Sequence, residues 1–196
     1  NQNFDPENPV LVRSSIIHGA QSVSLNVGRM IGFIWDGFDF GPGQDERNVV
    51  QIQGANTYAL ELRNCLIHDG GAGGDCLKIN NHAHDIVVDG CEIYNPGDRS
   101  TGGFPTETWQ ENIDLYGSEN ITIRRCWLYH IGARGDHIAY TKGLSHGNTF
   151  EYNVVGPQAT EAHEGALSAS SRSTAEEDGF TAFDVTMRGN VLIDCV

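Results

Sequence analysis

One short pattern recurs along the chain and constrains its fold more than any other feature. An alternating strand, a small or polar residue and a second strand follow one another several times. When these segments are aligned, one column contains Ser15, Gly37, Cys65, Cys91, Cys126, Asn153 and Asn190. The steps between these positions are 22, 28, 26, 35, 27 and 37 residues. Periods in the twenties with occasional longer insertions are typical of a solenoid whose loops leave on one side.

The residues between these positions favour strands over helices. Val, Ile, Tyr and Thr alternate with polar residues, and a helical period is absent. Leucines do not recur at the fixed offsets of a leucine-rich repeat. The sequence therefore predicts an all-β solenoid.

The aligned column has a physical explanation. Coils of a β-solenoid lie about 4.8 Å apart, so each turn residue stacks on its counterpart in the next coil. Asn passes side-chain hydrogen bonds along such a stack and tolerates the left-handed backbone of a tight turn. Thiols of similar size fill the same position as small apolar groups. We therefore expect Cys65, Cys91 and Cys126 to be reduced core residues, with a disulfide between neighbouring coils as the alternative.

This column, set between two strands of each coil, resembles the pectate-lyase-like superfamily over nearly the whole chain. The resemblance implies a single-stranded right-handed parallel β-helix of about seven coils, forming one domain over residues 1–196 with an irregular lead-in at 1–8. A removed leader or a longer parent chain is expected from a start at Asn1 and a stop directly after a strand.

The same resemblance gives each coil three strands, with the polar column between the second and the third. It places the binding cleft over the sheet built from the first strand of each coil, here called the first sheet. Its predicted strands are residues 23–27, 49–54, 77–81, 113–117, 138–142 and 166–170.

The charge of the chain limits its partners. A formal net charge of −14 argues against nucleic acid, whose phosphates require clustered Lys and Arg. No apolar run approaches the roughly 20 residues of a membrane span. An acidic polysaccharide requires a divalent cation or local basic groups to offset the repulsion. The expected setting is secreted or extracellular, and an oligomer or filament remains open.

Strand alternation predicts which side chains of the first sheet face outward. Amides, an aromatic ring and charges in a row suit a sugar chain, and a merely solvated sheet face is the alternative. We expect the loop at 98–109, which contains a Trp, to form one side of the cleft. The predicted substrate-binding residues are Lys78, Asn80, Asp114, Tyr116, Arg134 and Trp109.

Acidic residues precede four successive strands of the first sheet, at Asp75, Glu111, Asp136 and Glu164. Like charges stacked at this spacing are unfavourable unless something neutralises them. A hard cation such as Ca²⁺ would do so, and so would a nearby side chain such as Arg134. Water-facing acids, whose repulsion is screened, are the alternative. We favour a metal at these four positions, and we note that both lysines of the chain fall on the same sheet.

Residues 111–172 loosely resemble the alginate lyase and chondroitin lyase group of β-helix enzymes. The matching segments are residues 138–142, ending in Lys, residues 148–153, and Gly165 followed by Arg172. The resemblance implies that Lys142 removes the proton beside a uronate carboxylate, that Arg172 or Tyr140 donates a proton to the leaving oxygen, and that the acids hold Ca²⁺. Two features depart from the group's pattern: His137 replaces a metal-binding acid, and Arg172 lies about two residues late.

The same stretch is also similar to polygalacturonases, with Glu111 and Asp136 as an acid pair. The doubled Asp of those hydrolases is single here, their His is displaced, and their Arg-x-Lys signature is missing. The sequence therefore favours a polysaccharide lyase over a hydrolase. A non-catalytic carbohydrate-binding module, an adhesin, or a structural solenoid with Ca²⁺ in the acidic ladder remain alternatives.

Overall fold

The computed structural model describes residues 10–13, 25–43, 47–71, 73–97, 110–131, 137–158, 165–169 and 182–195. These residues form parallel strands joined by turns, and no helix occurs among them. The described part of the chain therefore offers no helix that could cross a bilayer.

Three parallel sheets run along the solenoid. The first sheet consists of β2 (Leu25–Gly28), β5 (Val50–Gln53), β8 (Leu77–Asn80), β11 (Ile113–Tyr116), β14 (Ala139–Lys142) and β17 (Leu167–Ala169). The second sheet consists of β1 (Val10–Arg13), β3 (Phe33–Asp36), β6 (Tyr58–Arg63), β9 (His84–Asp89), β12 (Glu119–Arg124), β15 (Thr149–Glu151) and β18 (Thr186–Arg188). The third sheet consists of β4 (Asp39–Phe40), β7 (Leu66–His68), β10 (Glu92–Tyr94), β13 (Trp127–Tyr129), β16 (Val154–Val155) and β19 (Val191–Leu192).

Each sheet is ordered by coil, because every strand pairs with the equivalent strand of the adjacent coil, and the inner strands of each sheet do so on both sides. This arrangement confirms the predicted single-stranded parallel β-helix. The described strands make six complete coils plus β1, close to the expected seven. Five of the six predicted segments of the first sheet contain a strand of that sheet, and the segment at 23–27 overlaps β2, which ends one residue later at Gly28.

The interior is a set of stacked apolar rows, one from each sheet. In the first sheet, Ile52, Ile79 and Leu115 lie in register and are fully buried. Equivalent rows in the other two sheets run through Leu62, Val88 and Ile123, and through Ile67, Ile93 and Leu128. Because successive side chains of a strand alternate in direction, the residues between these interior positions face outward and are available for chemistry.

The predicted turn column lies between the second and third sheets. The backbone N–H of Cys65 donates to Cys91 Sγ at 3.4 Å, and that of Cys126 donates to Asn153 Oδ1 at 2.9 Å. Asn153 Nδ2 continues the stack to Asn190 Oδ1 at 3.0 Å. The cysteines of the column carry free, buried thiols, as expected, rather than a disulfide. Ser15 lies outside the described residues.

From β3 onward, the last residue of each strand of the second sheet belongs to a ladder of alternating charge, which we call the charge ladder. The pairing of β3, β6, β9, β12, β15 and β18 aligns these six residues coil by coil. In order they are Asp36, Arg63, Asp89, Arg124, Glu151 and Arg188. An opposite charge therefore follows at every step, which supports in-register stacking of the coils.

Candidate functional site

Two outward rows of polar side chains cross the first sheet. One row contains Gln51, Lys78, Asp114, Tyr140 and Ser168. The other contains Gln53, Asn80, Tyr116 and Lys142. The alternation predicted from the sequence for β8 and β11 is therefore confirmed, and it brings both lysines of the chain to the same face.

Three carboxyl groups meet at the edge of this face. Asp75 precedes β8, Glu111 precedes β11, and Asp114 is the second residue of β11. One oxygen from each lies within 4.8 Å of the others, and all three residues are buried. The backbone N–H of Glu111 donates to Asp75 Oδ1 at 3.1 Å, which ties two neighbouring coils together. Asp75, Glu111 and Asp114 are called the acid triad below.

The two lysines insert their ammonium groups into the acid triad. Lys78 Nζ donates to Asp75 Oδ2 at 3.1 Å and to Asp114 Oδ2 at 2.5 Å. Lys142 Nζ donates to Glu111 Oε1 at 3.1 Å and lies 3.2 Å from Asp114 Oδ1. Three carboxylates and two ammonium groups leave a formal charge of −1 when all are ionised. The cluster is thus a compact set of charges, largely removed from water, in which the two lysines neutralise two of the three negative charges.

Burial and neighbouring charges shift the pKa of both acids from β11 and its turn. Burial, together with the charges of Asp75 and Asp114, raises the pKa of Glu111 well above its usual range. Burial and the charge of Asp75 raise the pKa of Asp114, although both lysines oppose this shift. Each acid therefore ionises less readily than a carboxyl group in water.

The lysines are shifted toward their charged forms. Burial alone would lower the pKa of Lys142, but the carboxylates of Asp114 and Glu111 outweigh it and raise this pKa. The pKa of Lys78 is raised in the same way, with burial opposed by Asp75 and Asp114. The acids around Lys142 outnumber the cations, so this arrangement favours its ammonium form over the neutral amine.

Tyr140 supports Lys142 from the same strand. Lys142 Nζ lies 4.7 Å from the centre of the Tyr140 ring, within the range of a cation–π contact. The Tyr140 ring in turn packs on His137, with 4.2 Å between ring centres. His137 is buried and donates from Nδ1 to the carbonyl oxygen of Gly165 at 2.8 Å. His137 therefore braces the tyrosine and the neighbouring coil.

The other predicted site residues divide into two groups. Asn80 and Tyr116 lie side by side on the outer face of the first sheet, with Asn80 buried and Tyr116 half-buried. Five predicted residues lie outside the described residues: Arg134 and Trp109 for substrate, Arg172 as proton donor, and Asp136 and Glu164 for metal. Their roles stay predictions, as do those of the residues that the structure brings together.

The acid triad fits a hard divalent cation by its chemistry. Carboxylate oxygens are the ligands that Ca²⁺ prefers, and three carboxyl groups supply up to six of them. The buried Asn80 Oδ1 accepts no hydrogen bond from the described residues, and the buried Asp114 Oδ1 has only the ion-pair contact with Lys142 Nζ at 3.2 Å. A buried oxygen without a hydrogen-bond donor calls for another partner, and a cation bound on this face would supply one.

Asp114 is the member of the triad that sequence reasoning assigned differently, to substrate rather than to metal. The signal was present, because Lys78 and Asp114 occupy the same position in strands that pair in register. Recognising it required the exact offset between coils of unequal length. The sequence shows the coil lengths only after the turn residues have been aligned.

A separate groove of about 490 Å³ lies on the second sheet, away from the acid triad. Asp89 there accepts hydrogen bonds from both Arg124 and Arg125, and Arg63 pairs with Glu61 at 2.5 Å. The charges of this groove are matched by their own neighbours, so we place the candidate site on the first sheet. The groove is lined by Glu61, Arg63, Asn64, Asp89, Gly90, Arg124 and Arg125.

The chain belongs to the right handed beta helix region family, whose profile matches residues 47–175. Among solved structures, it is similar to the A-module of the Azotobacter vinelandii mannuronan C-5 epimerase AlgE6, at 14% sequence identity and a TM-score of 0.55. The match covers 82% of this chain and 52% of that module, so the chain spans about half its length. At this identity the likeness shows the fold alone. No curated protein matches the chain.

Proposed function

We propose that this chain is a carbohydrate-active enzyme that cleaves a uronate-containing polysaccharide by β-elimination, with Lys142 as the base. The observation that carries the proposal is the insertion of Lys142 between Glu111 and Asp114 on the outer face of the first sheet. Because these two carboxylates raise the pKa of Lys142, the amine has to leave them before it accepts a proton from the substrate. An amine, carboxyl groups and a tyrosine on one face are the groups that removal of a proton beside a carboxylate requires.

The remaining residues of the face have roles consistent with this chemistry. Tyr140 lies against Lys142, which supports its assignment as the proton donor to the leaving oxygen, with Arg172 as the alternative. Lys78 and Asn80 lie on the same face, and we assign their ammonium group and amide to binding the carboxylate and hydroxyls of a sugar. A divalent cation such as Ca²⁺ on the acid triad would supply positive charge that stabilises the developing carbanion. Because acidic polysaccharides are extracellular polymers, we also propose a secreted location.

Epimerisation at C-5 is the second candidate, because it begins with the same proton removal and differs in where the proton returns. The structurally similar module is a mannuronan C-5 epimerase, which favours this candidate. In a lyase the bond to the leaving oxygen breaks after proton removal, whereas in an epimerase a proton returns to the opposite face of the ring. Exchange of solvent deuterium into an intact polymer therefore distinguishes the two.

The first prediction concerns Lys142. In a screen of alginate, chondroitin, pectate and neutral glycans, we expect the wild-type chain to release products with unsaturated ends, detected by ultraviolet absorbance. Lys142→Ala should reduce this rate by about 10²–10⁴-fold, the range that a general base contributes. The sheets should remain intact by circular dichroism and thermal unfolding. Arg124→Gln, which removes one positive charge from the second sheet, is the matched control and should keep full activity.

Other outcomes of the same screen assign the chain differently. Full activity in Lys142→Ala would remove this residue as the base. Reducing ends without unsaturation would indicate a hydrolase that uses the carboxyl groups directly. Retention on a polysaccharide column without any change in product size or deuterium content would indicate a binding module.

A further inference from the structure

The acid triad already has counter-ions, and they are the chain's own lysines. Lys78 bridges Asp75 and Asp114, while Lys142 bridges Glu111 and Asp114. Both lysine side chains are mostly removed from water, with 25% of the Lys78 side chain and 19% of the Lys142 side chain exposed. Buried carboxylates require such partners, because an unpaired buried charge is strongly unfavourable.

These ammonium groups occupy the oxygens that a cation would need. Calcium coordinates oxygens at about 2.3–2.6 Å and takes six to eight of them. An ion within that distance of Asp114 and its neighbours would lie only a few ångströms from Lys78 Nζ and Lys142 Nζ, which contact the same carboxyl groups. Like charges at such a separation in a buried cluster repel strongly. The oxygens of the acid triad therefore cannot pair fully with the two lysines and coordinate a cation at the same time.

We propose that a divalent cation enters this cluster by exchange, displacing Lys78 and Lys142 from the acid triad and releasing their amines toward the open face of the first sheet. The lysines then act as an internal competitor that sets the cation affinity of the site. The inference rests on the proposed cation site, but it does not depend on any reaction with polysaccharide. Asp114 Oδ1, which Lys142 Nζ contacts at 3.2 Å, becomes accessible to the ion when the lysine is displaced, and the buried Asn80 Oδ1 has no hydrogen-bond donor among the described residues.

The composition of the chain makes this exchange directly measurable. The chain contains two lysines, and both belong to this cluster. Amine-reactive labelling followed by mass spectrometry therefore measures the accessibility of each lysine of the site separately, with the terminal amine as an internal reference. We expect labelling of Lys78 and Lys142 to rise several-fold as Ca²⁺ saturates the protein, because each amine loses its carboxylate partners. Labelling that falls or stays constant while Ca²⁺ binds would overturn the proposal.

Calorimetric titration with Ca²⁺ gives the second test. Lys78→Gln and Lys142→Gln should each bind Ca²⁺ about tenfold more tightly than the wild-type chain, because the competitor is removed. Lys142→Arg keeps a charged competitor and should bind with nearly wild-type affinity. Arg124→Gln removes the same charge from the second sheet and should leave the affinity unchanged, so any gain in the lysine variants is local. Circular dichroism confirms that each variant is folded.

Unchanged or weaker affinity in both lysine variants would contradict exchange, and so would the absence of Ca²⁺ binding in the wild-type chain and the variants. Should a lysine variant fail to fold, the labelling of the wild-type chain still decides the question. The readouts do not use turnover. A chain that exchanges lysine for Ca²⁺ without acting on any polysaccharide would refute the proposed function and leave the exchange standing.

Discussion

At the scale of single residues, Asn153 shows how one side chain connects three coils. Its Oδ1 accepts from the backbone N–H of Cys126 at 2.9 Å, and its Nδ2 donates to the carbonyl oxygen of Ile123 at 3.1 Å and to Asn190 Oδ1 at 3.0 Å. The residue is fully buried, so water does not replace these partners. The amide therefore satisfies backbone groups that the tight turn would otherwise leave unpaired.

Removing this amide should destabilise the fold measurably. We expect Asn153→Ala to lower the free energy of unfolding by about 1–3 kcal/mol, the cost of leaving a buried donor and acceptor unsatisfied. Urea denaturation followed by circular dichroism provides the measurement. Asn56→Ala makes the same chemical change at an exposed turn position and is the control. Equal midpoints for the two variants would show that the column is not a structural ladder.

The acid triad illustrates a different property of single residues. Asp114 lies on a strand position that is outward by alternation, yet it is 0% exposed. Lys78, Lys142, Glu111 and Asp75 surround it and keep water away. Burial of an outward residue therefore arises from the long side chains of neighbouring coils, which strand alternation alone does not predict.

At the scale of strands, the charge ladder of the second sheet organises the stacking of coils. Arg124 Nε donates to Asp89 Oδ2 at 3.0 Å, and Arg188 Nε donates to Glu151 Oε2 at 2.8 Å. Arg125, in the adjacent turn, adds a further pair of hydrogen bonds to Asp89. A slip of one coil would place like charges opposite each other along the whole ladder, so the alternation disfavours mispaired strands.

Asp89 links this ladder to pH. Hydrogen bonds from Arg125, followed by those from Arg124, lower the pKa of Asp89 despite the opposing effect of burial. A carboxyl group whose pKa is lower in the folded than in the unfolded chain adds stability above its unfolded pKa of about 3.9. That stability is lost as the pH falls through the folded pKa. The acid limb of the stability curve should therefore include a contribution from this residue.

Replacing Asp89 should reveal that contribution. We expect Asp89→Asn to lower the urea midpoint at neutral pH and to reduce the loss of stability on acidification below about pH 4, because the residue no longer binds a proton on unfolding. Asp194→Asn, at an exposed position, is the control and should follow the wild-type curve. Parallel curves for Asp89→Asn and the wild-type chain would show that the ladder makes no pH-dependent contribution.

At the scale of the whole molecule, the repeat predicts the fold almost completely because each coil obeys the same local rules. The column through Cys65, Cys91 and Cys126 fixes where the second strand ends and the third begins, and alternation then assigns inward and outward residues. The candidate site is less predictable. The stacking of Asp75 on Glu111 follows from the register, whereas the inclusion of Asp114 depends on side-chain reach across coils of unequal length.

The solenoid also predicts how damage spreads through the molecule. Each coil contacts only its neighbours. Truncating an interior side chain should therefore cost more stability in a coil that is packed on both sides than in the last described coil. Leu115 is fully buried and pairs with β8 and β14, so Leu115→Ala should lower the free energy of unfolding by about 2–5 kcal/mol. Leu192, on β19, is 54% exposed, and Leu192→Ala should change it by no more than about 0.5 kcal/mol. Urea midpoints measured side by side test this contrast. Equal losses in the two variants would mean that the coils do not share the interior rows described above.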